Sequence, residues 1–235
     1  MIAPLPFDIS PEEILEQYET FRSNLATWFP TRINELNKFY DHYEDRVKFA
    51  PASGAEHYHN AFPGGYLEHI LRVVKFSELE WKTWTALGFV TDNFTLEELR
   101  FAAVHHDLGK LGLPHDGGDV YVVNDNDKWK FEKLGKVYFS NEDLPFSLVQ
   151  DGSLFLLQSF GVKCSHNEWY AIRTHDGVYD KANEAYYINN SIGSKFRCNL
   201  PMILHMADYK AARWEFERWA LASDKFKFFY SGQNK

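Results

Sequence analysis

The chain has 235 residues, 45% of them apolar and 17% aromatic, a composition that excludes a disordered or low-complexity polypeptide and leaves room for a sizeable core. Thirty-three acidic against 25 basic residues give a net charge of −8, which opposes binding of long duplex nucleic acid and leaves small anionic ligands to a locally positive site. Two cysteines, Cys164 and Cys198, are too few for a disulfide framework; the stretch MIAPLPFDIS lacks a leader pattern, and no run of 18 apolar residues occurs, so a cytoplasmic protein with no membrane partner is expected.

Periodicity predicts helices for most of the chain. Ser10-Pro11-Glu12-Glu13 combines an N-cap, a proline at the first helical position and a capping glutamate, and Ile14, Leu15, Tyr18, Phe21 and Leu25 follow at helical spacing. After Pro30, Ile33, Leu36, Phe39, Tyr40, Tyr43 and Val47 describe a second helix running towards Pro51, and a loop is expected from there to Gly65. Tyr66, Leu67, Ile70, Leu71 and Val74 predict a third helix reaching towards Trp84, with His69 in its first turns. Thr95-Leu96-Glu97-Glu98 is a second capping box, after which Leu99, Ala102, Ala103 and His106 share a face until Gly109 supplies a stop.

From Gly112 to Gly152 the periodicity fails, and a long ordered loop or small β-ribbon is expected, with Trp129 among Lys128, Lys130, Lys133 and Lys136. Helices resume over Leu154 to Phe160, after the Ser165 cap with Trp169, Ile172 and His175 on one side, and from Leu200-Pro201 with Ile203, Leu204, Ala207 and Ala211 inward. No repeat or linker divides the chain. The expectation is a single all-α domain over 1–235, with N-terminal helices in 1–50 and a core in 51–220 carrying the 112–152 insertion.

The chemistry concentrates in His105-His106-Asp107-Leu108-Gly109-Lys110. An adjacent imidazole and carboxylate at a helix end either form a local ion pair or converge on a cation that accepts both donor types. Two further candidates recur at helix-length intervals, His69 after Gly64-Gly65 and Asp208 in His205-Met206-Ala207-Asp208. Three helices can thus deliver His69, His106, Asp107 and Asp208 to one centre, as helix bundles do when they build metal sites. Lys110 either holds a phosphate oxygen or complements the helix dipole, and Arg72 either meets the same phosphate or forms a surface ion pair. His105 and Glu68 point about 100° away from their neighbouring candidates, and His205, one turn before Asp208, is read as orienting it. Trp129 with its lysines is either a base-stacking lid or a solvated face. His57, His59 and His115 are given no role.

The ordered series GGYLEHI, HHDLGK and LHMADYKAAR resembles the HD-domain metal-dependent phosphohydrolases. The stretches WKFEKLGKVY, QDGSLFLLQSFGV, HDGVYDKANEAY and LPMILHMADYKAARWEFERW are similar to bacteriophage-encoded members, and the resemblance covers about residues 50 to 220. It implies an all-α HD bundle in which His69, His106, Asp107 and Asp208 ligate a divalent ion (Mn, Fe, Co, Ni, Zn or Mg). One departure bears on metal number: where many two-metal relatives carry extra histidines, Pro145 to Gln150 has none. One tightly bound ion is therefore expected. His175 is the well-placed spare, for phosphate binding, leaving-group protonation, a second ion or a capping role.

The implied activity is hydrolysis of a phosphoester or phosphoanhydride in a nucleotide-like small molecule, in a host cytoplasm if the gene is phage-borne. Asp107, Lys110 and His175 are the expected catalytic groups, and Arg72, Lys110 and Trp129 the expected substrate contacts. Two alternatives remain at this stage, a phosphodiesterase or 3′-to-5′ exonuclease acting on short oligonucleotides, and a non-catalytic nucleotide-binding protein. The sequence leaves the oligomeric state open.

Overall fold

The computed structural model describes residues 9–115, 117–188 and 191–223. Of the N-terminal stretch read for a leader, all but Ile9 and Ser10 lies outside them. Among the described residues the fold is all-α apart from one two-stranded ribbon. Its helices are α1 (Pro11–Trp28), α2 (Ile33–His42), α3 (Glu44–Phe49), α4 (Gly65–Ala86), α5 (Leu96–His105), α6 (Lys128–Leu134), α7 (Val149–Ser159), α8 (His166–Thr174), α9 (Glu184–Tyr187) and α10 (Leu200–Ala222); β1 (Tyr121–Val123) and β2 (Tyr138–Ser140) lie within the insertion. Among the described residues no helix is long and apolar enough to cross a membrane.

Three helix starts follow from their capping boxes. Ser10 Oγ accepts from Glu13 N at 3.2 Å, Thr95 Oγ1 from Glu98 N at 3.1 Å and Ser165 Oγ from Glu168 N at 3.2 Å, and each glutamate accepts in return from the N-cap backbone. Helix α4 packs on α5 and α10, and α8 packs on the same two, so these four helices close a ring. Helices α1–α3 cover one side of it through Phe21, Leu25, Phe29, Leu36, Phe39 and Tyr40, all buried. Each such side chain removed from water contributes about 1.5–3 kcal/mol before chain entropy is subtracted.

The structure differs from expectation at several boundaries. The helix expected from Ile33 to Pro51 breaks at Tyr43 (φ −99°, ψ 11°), whose buried ring stacks on Phe39 at 4.7 Å and whose hydroxyl donates to the Gly112 carbonyl at 3.1 Å. The stop assigned to Gly109 comes earlier. Helix α5 ends at His105, a 3-10 turn over Leu108–Leu111 follows, and Gly112 with φ 78° closes that turn. Gly109 is instead needed for close approach, because a Cβ there would stand 2.1 Å from the Val149 carbonyl oxygen at the start of α7.

Helix α7 accordingly begins at Val149, five residues before the expected Leu154, and takes in Gly152, where a Cβ would stand 3.1 Å from Gly109 Cα. The insertion does contain a ribbon, with Tyr121 opposite Ser140, Val122 opposite Phe139 and Val123 opposite Tyr138. It also contains α6, which periodicity missed; Asp127 Oδ1 caps it by accepting from Lys130 N at 2.9 Å, and Gly135 with φ 60° ends it. Trp169, expected on one side of α8 with Ile172 and His175, is exposed, while Ala171, Ile172 and His175 are buried.

Candidate metal centre

Each helix of the ring contributes one group. His69 comes from the second turn of α4, His106 caps the C-terminus of α5, His175 caps that of α8, and Asp208 comes from α10. Asp107 follows His106 into the 3-10 turn. The ring centroids of His69 and His106 are 5.7 Å apart, and those of His106 and His175 are 4.8 Å apart. His69 Nε2 stands 3.1 Å from Asp208 Oδ1 and 3.6 Å from Asp107 Oδ2, and His106 Nε2 stands 3.4 Å from Asp107 Oδ2 and 3.7 Å from Asp208 Oδ1. The histidines and Asp107 are buried, and Asp208 is partly so.

The tautomers follow from what lies behind each ring. His106 Nδ1 donates to the Ala103 carbonyl at 2.9 Å, and His175 Nδ1 donates to the Ile172 carbonyl at 2.8 Å, both three residues back. His69 Nδ1 lies 3.1 Å from Glu215 Oε2. An Nδ1–H committed in this way leaves the lone pair on Nε2, the form in which imidazole ligates a metal. His69 Nε2 and His106 Nε2 are buried and have no aligned hydrogen bond, so the 3.1 Å approach of His69 to Asp208 is a charge contact out of line for one. Two overlapping donor sets result: His69, His106 and Asp208 form one, and His106, Asp107 and His175 the other, with the ligand atoms of each within 4.8 Å of one another. Buried unpartnered nitrogens facing carboxylates fit a divalent cation of the imidazole- and carboxylate-binding class.

The acids and bases of the cluster shift one another strongly. Burial pulls the His69 imidazolium down, but Glu215 and Asp208 outweigh it and raise the group to about 10. His175 rises to about 9 because Asp107, Asp176 and Asp208 overcome its burial. Burial pushes the Asp107 carboxyl up, yet Lys110, His106 and His175 hold it well below the usual range, and Asp208 is held low by the histidines around it. Lys110 Nζ lies 2.6 Å from Asp107 Oδ2, which outweighs its burial and raises it above an ordinary lysine.

Some expected residues arrive elsewhere. Arg72 does not reach into the centre; it pairs with Glu215 and with Glu68 Oε1 at 2.7 Å and lies over Trp214, so it braces the carboxylate behind His69. His205 does not orient Asp208; its Nδ1 donates to the His175 carbonyl at 2.7 Å, and its ring supports the turn at Gly177. Trp129 is 62% exposed on α6 and lines none of the cavities beside Lys110. His105 is buried against Phe29, Tyr40 and Phe101, donates from Nδ1 to the Phe101 carbonyl at 2.7 Å, and is pulled down by burial to about 3.

Sequence reasoning missed Glu215 and His59. Glu215 lies two helical turns past Asp208 on α10, on the same side, and that i+7 spacing was the available signal. His59 stands 4.9 Å from His69 between ring centroids, its Nε2 is 3.4 Å from Lys110 Nζ, and burial together with the Lys110 charge pulls it down to about 3. It sits on a loop with no periodicity to mark it. No family model, curated protein or solved structure matches this chain.

Proposed function

We propose that the protein is a metal-dependent phosphohydrolase of the HD type, acting on a phosphoester or phosphoanhydride of a small, nucleotide-like molecule. The observation that carries this reading is the set of buried, unpartnered Nε2 atoms of His69 and His106, with tautomers fixed from behind and Asp107 and Asp208 opposite. His69, His106, Asp107 and Asp208 would hold the ion. When bound, a divalent cation supplies Lewis acidity towards a phosphoryl oxygen and activates water.

The protein's own groups have separable tasks. Asp107 contacts Lys110 at 2.6 Å and faces His69, His106 and His175 at 3.4–3.6 Å, so it would ligate the ion and also hold the Lys110 ammonium beside it, where a phosphate oxygen would be met. Lys110, held above the ordinary lysine range, carries its charge at any physiological pH and offsets charge developing on the phosphoryl group. His175 Nε2, 3.6 Å from Asp107 Oδ1 at the edge of the cluster, holds or passes a proton there. The net charge of −8, with Lys110 the cation nearest the cluster, favours a small phosphorylated molecule over an oligonucleotide.

The test is elemental analysis of the purified protein, followed by a hydrolysis panel of nucleoside mono- and triphosphates, cyclic nucleotides and short oligonucleotides. Phosphate or pyrophosphate release that disappears with chelator and returns with a divalent ion is expected. Absence of any bound transition or alkaline-earth metal would overturn the reading.

A further inference from the structure

A cavity of about 440 Å³ opens beside Lys110, between α3 and the ribbon of the insertion. Its walls are Phe49, Pro51, Pro63, Tyr121, Val123 and Tyr138. Strand alternation explains the ribbon's share: Tyr121 and Val123 point to one face and Val122 to the other, and Val123 lies directly opposite Tyr138. Tyr121 packs over Gly54 and meets Tyr138 edge-on, with ring centroids 6.2 Å apart. Together with Val120 it also lines a second cavity of about 700 Å³, so the two cavities share this start of the ribbon.

Charge in the first cavity is one-sided. Arg46 lines it, but its guanidinium is committed to the Leu111, Leu113 and His115 carbonyls and to Asp119. Lys110, paired with Asp107 at 2.6 Å, has further ammonium donors on the side of the metal cluster to meet an anion, while the exposed carboxylates Asp45 and Asp119, paired with Lys48 and Arg46, are additional hydrogen-bond acceptors in the lining. An occupant must therefore combine one anionic end with a flat apolar body, and the volume lies in the range of small-molecule sites. A nucleoside 5′-phosphate has that form: its phosphate meets Lys110, its base lies against the aromatic wall, and its exocyclic amino groups face the carboxylates.

Building on the phosphohydrolase reading, we infer that the cavity between α3 and the β1–β2 ribbon is the nucleoside subsite of the substrate, and that Tyr121 is the side chain that selects for a base. The insertion is then a specificity wall whose contribution comes from the ribbon rather than from Trp129.

The test is calorimetric titration of the protein as purified with non-hydrolysable 5′-phosphonates of a purine nucleoside, a pyrimidine nucleoside and ribose. The wild type should bind at least one nucleoside phosphonate about 10-fold or more tighter than the ribose compound. Tyr121→Ala should weaken that nucleoside compound by about 30-fold, the size of a lost stacking contact, and leave the ribose compound unchanged; Tyr121→Phe should retain selectivity. Val123→Glu, at an exposed strand position that tolerates charge, should block the nucleoside compound with the fold intact by circular dichroism. Equal affinity of the wild type for all three compounds, or parallel loss of all three in Tyr121→Ala, would overturn the inference. Base-selective binding without hydrolysis or bound metal would instead count against the phosphohydrolase reading alone.

Discussion

Glu215 Oε2 stands 3.1 Å from His69 Nδ1, and Arg72 grips the same carboxylate from its other side. A carboxylate behind a ligating histidine fixes its tautomer and raises its basicity, and loss of such a partner typically weakens metal affinity by about 10- to 100-fold. Glu215→Gln should weaken metal retention by that factor in a competition titration with a chelator while the protein stays folded. Unchanged affinity would show that His69 is oriented by packing alone.

Replacing His106 or Asp107 with Ala should remove bound metal and hydrolysis together, because His106 belongs to both donor sets and Asp107 is the one carboxylate of its set. Lys110→Met should behave differently, keeping the metal and losing turnover by about 10²-fold, the size of a single transition-state charge contact. Metal content by elemental analysis and kcat measured on the same preparations separate the two outcomes.

The raised histidines make a pH prediction for chelator-treated protein. His69 and His175 have folded values of about 10 and about 9 against an ordinary 6.5, so their stabilising contribution is complete below pH 6.5 and declines as the pH rises through 9 to 10. Each group contributes a slope of about 1.4 kcal/mol per pH unit in that window. The Tm of the chelated protein should therefore fall between pH 6.5 and 9. With metal bound His69 would already be unprotonated, so its share of the fall should vanish and the profile should be shallower. Identical profiles with and without chelator would contradict the assignment of His69.

Gly109→Ala would set a methyl group against the Val149 carbonyl, and overpacking of this kind costs about 1–3 kcal/mol. In a chain of this size Tm drops about 2–4 °C per kcal/mol, which a thermal melt resolves. The Gly109 amide donates to Ser153 Oγ at 2.9 Å, and Ser153 also reaches the His106 carbonyl at 2.7 Å, so metal retention should fall along with stability.

The sequence disclosed what depends on local pattern and concealed what depends on approach in space. Capping boxes at Ser10, Thr95 and Ser165 were readable because cap and partner are three residues apart. His69, His106, Asp107 and Asp208 were readable because each sits near a helix end or on an inward face, and the structure brings all four together. Of the two readings of Arg72 the structure shows the ion pair, and its partner Glu215 was not legible because it is 143 residues away and no local signal links them. Helix α7 was shortened because Gly152 reads as a breaker, whereas here it lets the helix lie against Gly109. The short 3-10 turns after His175 carry no periodicity at all. Their start nonetheless repeats the His106-Asp107 arrangement, since His175-Asp176 also caps a helix and enters a 3-10 turn.

Arg46 holds the Leu111, Leu113 and His115 carbonyls with one guanidinium, so the wall beside Lys110 is fastened to α3 before any molecule arrives. A recess built in advance is entered in one step. In stopped-flow measurements the observed association rate should rise linearly with ligand concentration, without the plateau that an intervening rearrangement imposes. Lysine cannot span those carbonyls as a planar fork, so Arg46→Lys should loosen the wall and make the rate level off at high concentration.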